Sequence, residues 1–309
     1  MQMFDVVIVG GGPAGLSAAL LLGRVPSRKV LLVDSNQSRN GPSHAMHGFL
    51  SRDGLPPGEL RRIGREQLVP YENVTVLNAA VQSGQAIPGG FRLQMSSGVV
   101  VEAKKVIVAT GVVDPLPSIT GLDQFYGRSV FLCPYCDAWE FRNQTIGVLG
   151  AGGVDTAIML RSWSPTVLFF SDGHVLPQAD LQRLTRAGVR VVGGKVESLD
   201  GTFAGLLTAV VVSSRGEAGL PASRNRIPCQ ALFLSLPGRS QRSNIAQQLG
   251  VPPRTDGGLE HGDQGKTRVR GVYVIGDASK DVTFAIVAAA EGAVAAAAVD
   301  HELRMEGVV

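Results

Sequence analysis

Cys133-Pro134-Tyr135-Cys136-Asp137 is the stretch of this chain whose residue types and spacing could carry covalent chemistry. Two cysteines separated by two residues can close into a small, reversible disulfide, because that spacing brings both sulfurs within bonding distance. Asp137 stands directly after the second cysteine, placed to give or take the proton that a thiolate needs. A structural zinc site is a poor fit, since it needs four ligands. The only other cysteine, Cys229, is alone, and His44, His47, His174, His261 and His301 lack the spacing of a zinc pair. No metal is expected. Cys229 reads as a small buried hydrophobe ahead of an apolar run. Three cysteines in 309 residues do not make a secreted, disulfide-rich framework either.

The elements that must position this pair are those of a nucleotide-binding α/β chain. Residues 4–9 are a short apolar run suited to a buried parallel strand. Gly10-Gly11-Gly12-Pro13-Ala14-Gly15 follows, then a helical stretch, then an apolar strand over residues 30–33 that ends on Asp34. Strand, glycine turn, helix, strand and acid stand in the register of the dinucleotide fingerprint. Gly10 would make the tight turn, Gly12 would admit a pyrophosphate to the backbone, and Gly15 would let helix and strand pack closely. The helix N-terminus, with Pro13 and Ala14, would face the pyrophosphate, and Asp34 would accept hydrogen bonds from an adenosine ribose. Near the other end, residues 271–275 form a strand running into Gly276-Asp277, ahead of an Ala-rich helix over about residues 284–303. Gly276 lets backbone approach a ligand, Asp277 can accept from a polyol chain, and the helix start offers positive dipole to an electron-rich flavin edge. Together the two ends point to FAD.

Between them, residues 44–54 read as a loop, whose two histidines either lie near a cofactor ring or face water. Residues 56–68 read as a helix, and 74–77, 91–95 and 99–102 as strands of an antiparallel layer. Residues 105–109 form a buried strand ending in Ala109-Thr110-Gly111, and Pro115 and Pro117 mark a domain boundary. After the cysteines, a strand over 144–149, the turn Gly150-Ala151-Gly152-Gly153-Val154-Asp155, a helix to residue 160 and a strand ending in Ser171-Asp172 repeat the first unit. That repetition suggests internal duplication. Further strands are expected over 189–192, 206–212 and 231–236. The expected fold is α/β, with two Rossmann-like, three-layer dinucleotide-binding domains, the second inserted in the first. Residues 1–114 and 237–309 would form a discontinuous FAD-binding domain. Residues 115–236 would form a smaller nucleotide-binding-like domain carrying the disulfide.

The second glycine turn departs from the pattern. Asp155 occupies the third fingerprint position, putting an anionic side chain where close packing and a pyrophosphate are wanted. No Arg or Lys occurs from residue 162 to 179, and Asp172 would repel a 2′-phosphate while suiting a free ribose hydroxyl. NADPH is therefore disfavoured by charge. NADH, a second FAD, or a domain kept only as scaffold stay open.

Composition sets the class. Apolar residues make up 44% and charged residues 18%, as in soluble globular proteins, and a net charge of +3 without basic blocks does not suggest nucleic acid. The longest apolar stretch, residues 282–299, contains Glu291 and reads as a buried helix rather than a membrane span. No signal-peptide pattern precedes the first strand. The expected compartment is a reducing cytoplasm, where a C-x-x-C is more often catalytic than structural.

With these residues assembled, the chain resembles the low-molecular-weight thioredoxin reductases over essentially its whole length. The likeness rests on Gly10 to Gly15 with Asp34, Ala109-Thr110-Gly111, Cys133 to Asp137 followed by Phe141-Arg142-Asn143-Gln144, and Gly271 to Asp277. Glutaredoxins share Cys-Pro-Tyr-Cys, but there it opens a helix near a chain start. The resemblance implies that Cys136 faces the flavin C4a, that Cys133 exchanges with substrate, that Asp137 is the acid/base, and that the chain forms a homodimer. Where those reductases carry His-Arg-Arg after the second strand, this chain has Ser171-Asp172-Gly173, and their Arg-Gln pair after the Gly-Asp turn is missing over residues 282–287. Residues 44–54 and 160–164 look more like NADPH-independent relatives. These are the dithiol oxidases of gliotoxin- and holomycin-type products and the diflavin-linked disulfide oxidoreductases.

The expected activity is an FAD-dependent dithiol–disulfide oxidoreductase that oxidises a small-molecule or protein dithiol through Cys133 and Cys136 without NADPH. Two alternatives stand beside it. One is an NAD(P)H- or ferredoxin-dependent disulfide reductase, and the other a flavin-binding redox sensor. No nucleic-acid or membrane partner is expected.

Overall fold

A computed structural model describes residues 2–150, 152–214, 223–279 and 283–307. Ala151 of the second glycine turn and Val282, at the start of the long apolar stretch, lie outside the described residues. The chain divides into two compact units. The first comprises Met1–Gly41, Phe49–Val113 and Gly238–Val309, and the second Pro42–Gly48 and Asp114–Pro237.

The first unit opens with β1 (Gln2–Val9), α1 (Pro13–Gly23), β2 (Val30–Asp34), α2 (Pro57–Glu66) and β3 (Val74–Asn78). Then come β4 (Val81–Ile87), β5 (Gly90–Met95), β6 (Val100–Val108) and the short β7 (Val112–Val113). The second unit holds α3 (Leu122–Phe125), β8 (Val130–Phe131), α4 (Pro134–Asp137), β9 (Ile146–Leu149), α5 (Val154–Leu160), β10 (Val167–Phe170), α6 (Gln178–Arg186) and β11 (Arg190–Val192). It continues with β12 (Lys195–Gly201), β13 (Leu207–Ser214), β14 (Ser223–Pro228) and β15 (Ala231–Leu234). The chain then returns to the first unit with β16 (Ser240–Gln241), α7 (Ile245–Gln248), β17 (Val272–Val274) and α8 (Ala285–Glu306).

In the first unit β3, β2, β1 and β6 lie side by side and parallel. β6 has two different neighbours along its far edge. Residues 100–103 pair antiparallel with β5, and Val106 to Val108 pair parallel with β17. Because both faces of β1 are covered, nearly every residue is apolar and alternate side chains serve opposite cores. Val6 and Ile8 pack with Leu16 and Leu22 of α1 and Val299 of α8, whereas Val7 and Val9 pack with Leu93 of β5 and Ile245 of α7. The Ala-rich composition of α8 follows from how closely it meets α1: a Cβ on Gly292 would stand 2.1 Å from the Ala14 carbonyl oxygen. Small residues allow that approach, and alanine keeps the helix propensity high.

The second unit repeats the plan. Its parallel sheet runs β11-β10-β9-β15-β8. α5 and α6 cover one face through Val154, Ala157 and Leu184. The antiparallel sheet β12-β13-β14 covers the other through Leu199, Leu207 and Val210. The architecture is thus α/β, with a parallel sheet at the centre of each unit. None of the helices among the described residues is long and apolar enough to cross a membrane.

Three expectations change. Residues 74–77 belong to β3, which pairs parallel with β2 and extends the main sheet instead of joining an antiparallel layer. The stretches 99–102 and 105–109 are one continuous strand, β6, whose Lys105 is held by Glu302 and Glu306 of α8 at 2.6 and 2.7 Å. β4 and β14 were not expected, because Val-Gln-Ser-Gly-Gln-Ala-Ile and Ser-Arg-Asn-Arg-Ile-Pro carry no strong apolar alternation.

Replacing Gly292 by valine drives a side chain into α1 and is expected to cost about 2–3 kcal/mol. The exposed Ala297→Val one turn on is expected to cost well under half as much. Chemical denaturation of both variants checks this, and equal costs would contradict the close helix contact.

Candidate functional site

The carboxyl ends of β2, β1, β6 and β17 reach one edge of the first sheet at one level. The backbone shows this directly. Gly10 N–H donates to Val33 O at 2.8 Å, Ala109 N–H to Val9 O at 2.8 Å, and Ile275 N–H to Val108 O at 3.0 Å. Gly10, with φ +112°, passes so near β6 that a Cβ there would stand 2.3 Å from Ala109 O. A Cβ on Gly15 would meet Gly10 O at 1.8 Å, which locks α1 against the turn. Gly12, the cap of α1 with Pro13 first in the helix, has open space where its Cβ would be.

Around this edge stand Asp34 and Asp277. Asp34 accepts from Asn36 N–H at 3.0 Å and pairs with Arg65 of α2 at 2.5 Å. Asp277 pairs with Arg39 at 2.8 Å, and Gly276 N–H donates to Glu291 of α8. Thr110 Oγ1, Ser38 Oγ and Arg61 Nε are buried without a hydrogen-bond partner. Buried polar atoms usually have one. An open glycine face beside orphaned hydroxyls fits a group carrying phosphates and ribose hydroxyls, as FAD does. Gly10, Gly12, Pro13, Ala14, Gly15, Asp34, Ala109, Thr110, Gly111, Gly276 and Asp277 all fall at this edge or in the turns that continue from it.

In the second unit Cys133 and Cys136 are joined as a disulfide with their Cα atoms 5.3 Å apart. Edge strand β8 leads through Leu132 to Cys133, which caps α4 and accepts the Cys136 N–H at its sulfur. Pro134 sits where a helix has a spare N–H, so the ring fixes the turn at no hydrogen-bond cost. Asp137 ends α4. Burial, then the negative charge of Glu140, push its carboxyl up to about 7. Cys229 is fully buried, and burial pushes its thiol up to about 12, which leaves it inert.

His44 and His47 fall within the second unit. Their segment packs on the second unit, where His44 Nδ1 lies 3.0 Å from Gly127 O and His47 Nε2 lies 3.5 Å from Glu140 Oε1. Both histidines, Glu140 and Asp137 line one cavity of about 500 Å³ with Phe131 and Phe141.

The second glycine turn is built like the first. Gly150, with φ +125°, would put a Cβ 2.2 Å from Ser235 O, and Ser235 N–H donates to Leu149 O at 2.8 Å. Asp155, however, does not obstruct packing. Its side chain is 81% exposed and ion-paired with Arg183 of α6. Asp172, at φ +51°, pairs with Lys195 of β12 at 2.7 Å and accepts the Val196 N–H. These two cations lie outside the stretch 162–179, so a search confined to one loop misses them. Glu140 is absent from the sequence reading, although its place three residues after Asp137 on a helical turn is the signal that sets it on that acid's side. Arg39, Arg65 and Lys195 meet their acids only through tertiary folding, and nothing local announces them.

Two glycine-turn sheets in one chain, the second carrying a disulfide beside an acid, define a two-domain dinucleotide-binding class of protein. The sequence profile of the pyridine nucleotide-disulphide oxidoreductases matches residues 4–292, and the chain belongs to that family. It is 34% identical over 191 residues to a probable thioredoxin reductase of Arthroderma benhamiae, a match covering 59% of this chain and 47% of that relative. The chain thus aligns with about half the length of that relative. Among solved structures, a putative thioredoxin reductase from Bacillus anthracis superposes with a TM-score of 0.88 at 28% identity, covering 98% of this chain and 99% of that one. An oxidoreductase from Agrobacterium tumefaciens gives 0.86 at 32% identity, covering 99% of each.

The Asp137 environment has a measurable sign. An unfolded aspartate ionises near 3.8 and the folded one near 7, so the folded chain carries a penalty that grows between those values and is complete above them. Asp137→Asn removes it. The variant is expected to melt higher relative to the parent at about pH 8 than at about pH 5, by a few degrees. A difference independent of pH would contradict a destabilised carboxylate.

Proposed function

We propose that this chain is an FAD-dependent dithiol–disulfide oxidoreductase that runs mainly towards dithiol oxidation. The observation that carries the reading is the Cys133–Cys136 disulfide with Asp137 poised near neutral beside it. A substrate thiol would lose its proton to Asp137, and its thiolate would attack Cys133, leaving the electron pair on Cys136. A second substrate thiolate would then release Cys133 and complete the substrate disulfide. Bound FAD supplies the two-electron acceptor that restores the cysteine disulfide, with oxygen or another acceptor beyond it. Gly10 to Gly15 and α1 would hold its pyrophosphate, Asp34 its ribose, and Thr110, Gly111, Gly276 and Asp277 the remainder. The substrate is a small-molecule or protein dithiol, and the working form a cytoplasmic homodimer.

Asp155 and Asp172 support independence from NADPH, because a 2′-phosphate arriving at that edge would meet two carboxylates already paired with Arg183 and Lys195. Those same cations favour a second reading, a nicotinamide-fed disulfide reductase, if a nucleotide displaces the carboxylates. The Arthroderma benhamiae relative, named a probable thioredoxin reductase, leans the same way.

Anaerobic titration of the FAD-loaded protein separates the two. Dithiothreitol is expected to bleach the flavin's visible absorption, while stoichiometric NADPH and NADH leave it intact. Rapid bleaching by NADPH would remove the oxidase reading in favour of the reductase. Released flavin is expected at about one per chain.

A further inference from the structure

Partly buried Asp137 opens onto the cavity of the second unit, and among the described residues neither cysteine lines that cavity. A carboxyl that takes a proton from a thiol on one side must hand it to water on the other before the next exchange. The groups on that far side are ordered. Glu140 comes from the 3-10 turn Trp139–Phe141 that follows α4, close enough to Asp137 for its charge to be felt there. His47 lies 3.5 Å from the Glu140 carboxylate.

The segment carrying His47 is anchored at a site that tolerates little change. His44 N–H donates to Gly127 O at 3.2 Å, and Met46 is buried. Gly127, with φ +80°, lets Pro42 O approach to where a Cβ would stand 2.4 Å away. The imidazole is therefore held in the cavity by a docked loop, although its sequence belongs to a stretch that runs on into the other unit.

We propose that Glu140 and His47 form a proton exit from Asp137. The proposal rests on the reading of Cys133–Cys136 as a dithiol-exchanging pair. In the first exchange the substrate S–H bond breaks and its proton goes to Asp137. The new sulfur–sulfur bond forms on Cys133 as the Cys133–Cys136 bond breaks, and the bond pair stays on Cys136. The proton then passes from Asp137 to the Glu140 carboxylate, from there to His47, and to solvent. No oxidant beyond the cysteine disulfide enters this step. Glu140 and His47 act through Asp137, so they are positioning and relay residues rather than catalytic ones.

Among the described residues, the charged and titratable groups that line the cavity with Asp137 are Glu140 from its own stretch, His44 and His47 from the docked loop, and Arg128 from the turn ahead of β8. The β12–β13 turn contributes neutral side chains only. Of the charged groups, Glu140 is the one whose negative charge adds to burial in raising the Asp137 carboxyl.

Dithiothreitol oxidation by FAD-loaded parent, Glu140→Gln, His47→Ala and His47→Gln is measured across pH, with flavin content and melting temperature recorded for each. Loss of Glu140 is expected to lower the rate about tenfold at high pH and to shift the midpoint of the profile to lower pH, since the like charge on Asp137 is gone. His47→Ala is expected to lose a similar factor and to regain it in imidazole buffer, while Asp137→Asn gains nothing from imidazole. Unchanged rates and profiles in Glu140→Gln and both His47 variants, with the parent active, would overturn the relay and leave the parent reading intact. If Glu140→Gln fails to fold, imidazole rescue of His47→Ala decides alone, and its absence overturns the relay. A parent protein that exchanges no dithiol would overturn both.

Discussion

Both units depend on one packing constraint: parallel strands that end level leave no room for a side chain in the turn between them. Gly10 against Ala109 O and Gly150 against Ser235 O are the same contact made twice, at 2.3 and 2.2 Å from a would-be Cβ. The tight turn bends the chain at once into a helix, so each helix begins over its own sheet's carboxyl edge. Ligand-facing backbone gathers there because the strands stop there. The closely packed helices behind the first edge, with Gly292 on Ala14, keep that edge in place.

The second constraint is electrostatic. At the first edge and at the second glycine turn, carboxylates already hold cations: Arg65 on Asp34, Arg39 on Asp277, Arg183 on Asp155 and Lys195 on Asp172. The two at the second glycine turn, Arg183 on Asp155 and Lys195 on Asp172, have exposed members and are weak and exchangeable, so a ligand can replace them. Asp137 is the opposite case. It is partly buried beside another carboxylate, and its proton is held to about neutral pH. A carboxyl so tuned gives and takes protons at the pH at which thiols exchange.

Much of the fold was legible in the sequence because its strongest signals are local. The apolar runs of β1, β2, β9 and β10, each bounded by glycine or acid, read as buried parallel strands, and they are. The antiparallel layer was read less well. Nothing in Val74 to Asn78 distinguishes a parallel edge strand from an antiparallel one, since partner direction is a property of the sheet. The polar strands β4 and β14 pair through backbone and leave little apolar trace. For the site, the cysteines and glycines announced themselves by spacing. The partners of the acids did not, because Asp277 and Arg39 stand 238 residues apart in the chain. His44 and His47 were visible as candidates, but which unit they serve depends on how one loop docks at Gly127.

In the proposed mechanism the cysteine pair alone carries electrons from substrate thiols to the flavin. Rapid anaerobic mixing of FAD-loaded Cys133→Ser with dithiothreitol tests this directly. Retained flavin with bleaching slowed on the order of a hundredfold or more is the predicted result. Bleaching at the parent's rate would mean that electrons reach the flavin without these sulfurs, and would contradict the mechanism.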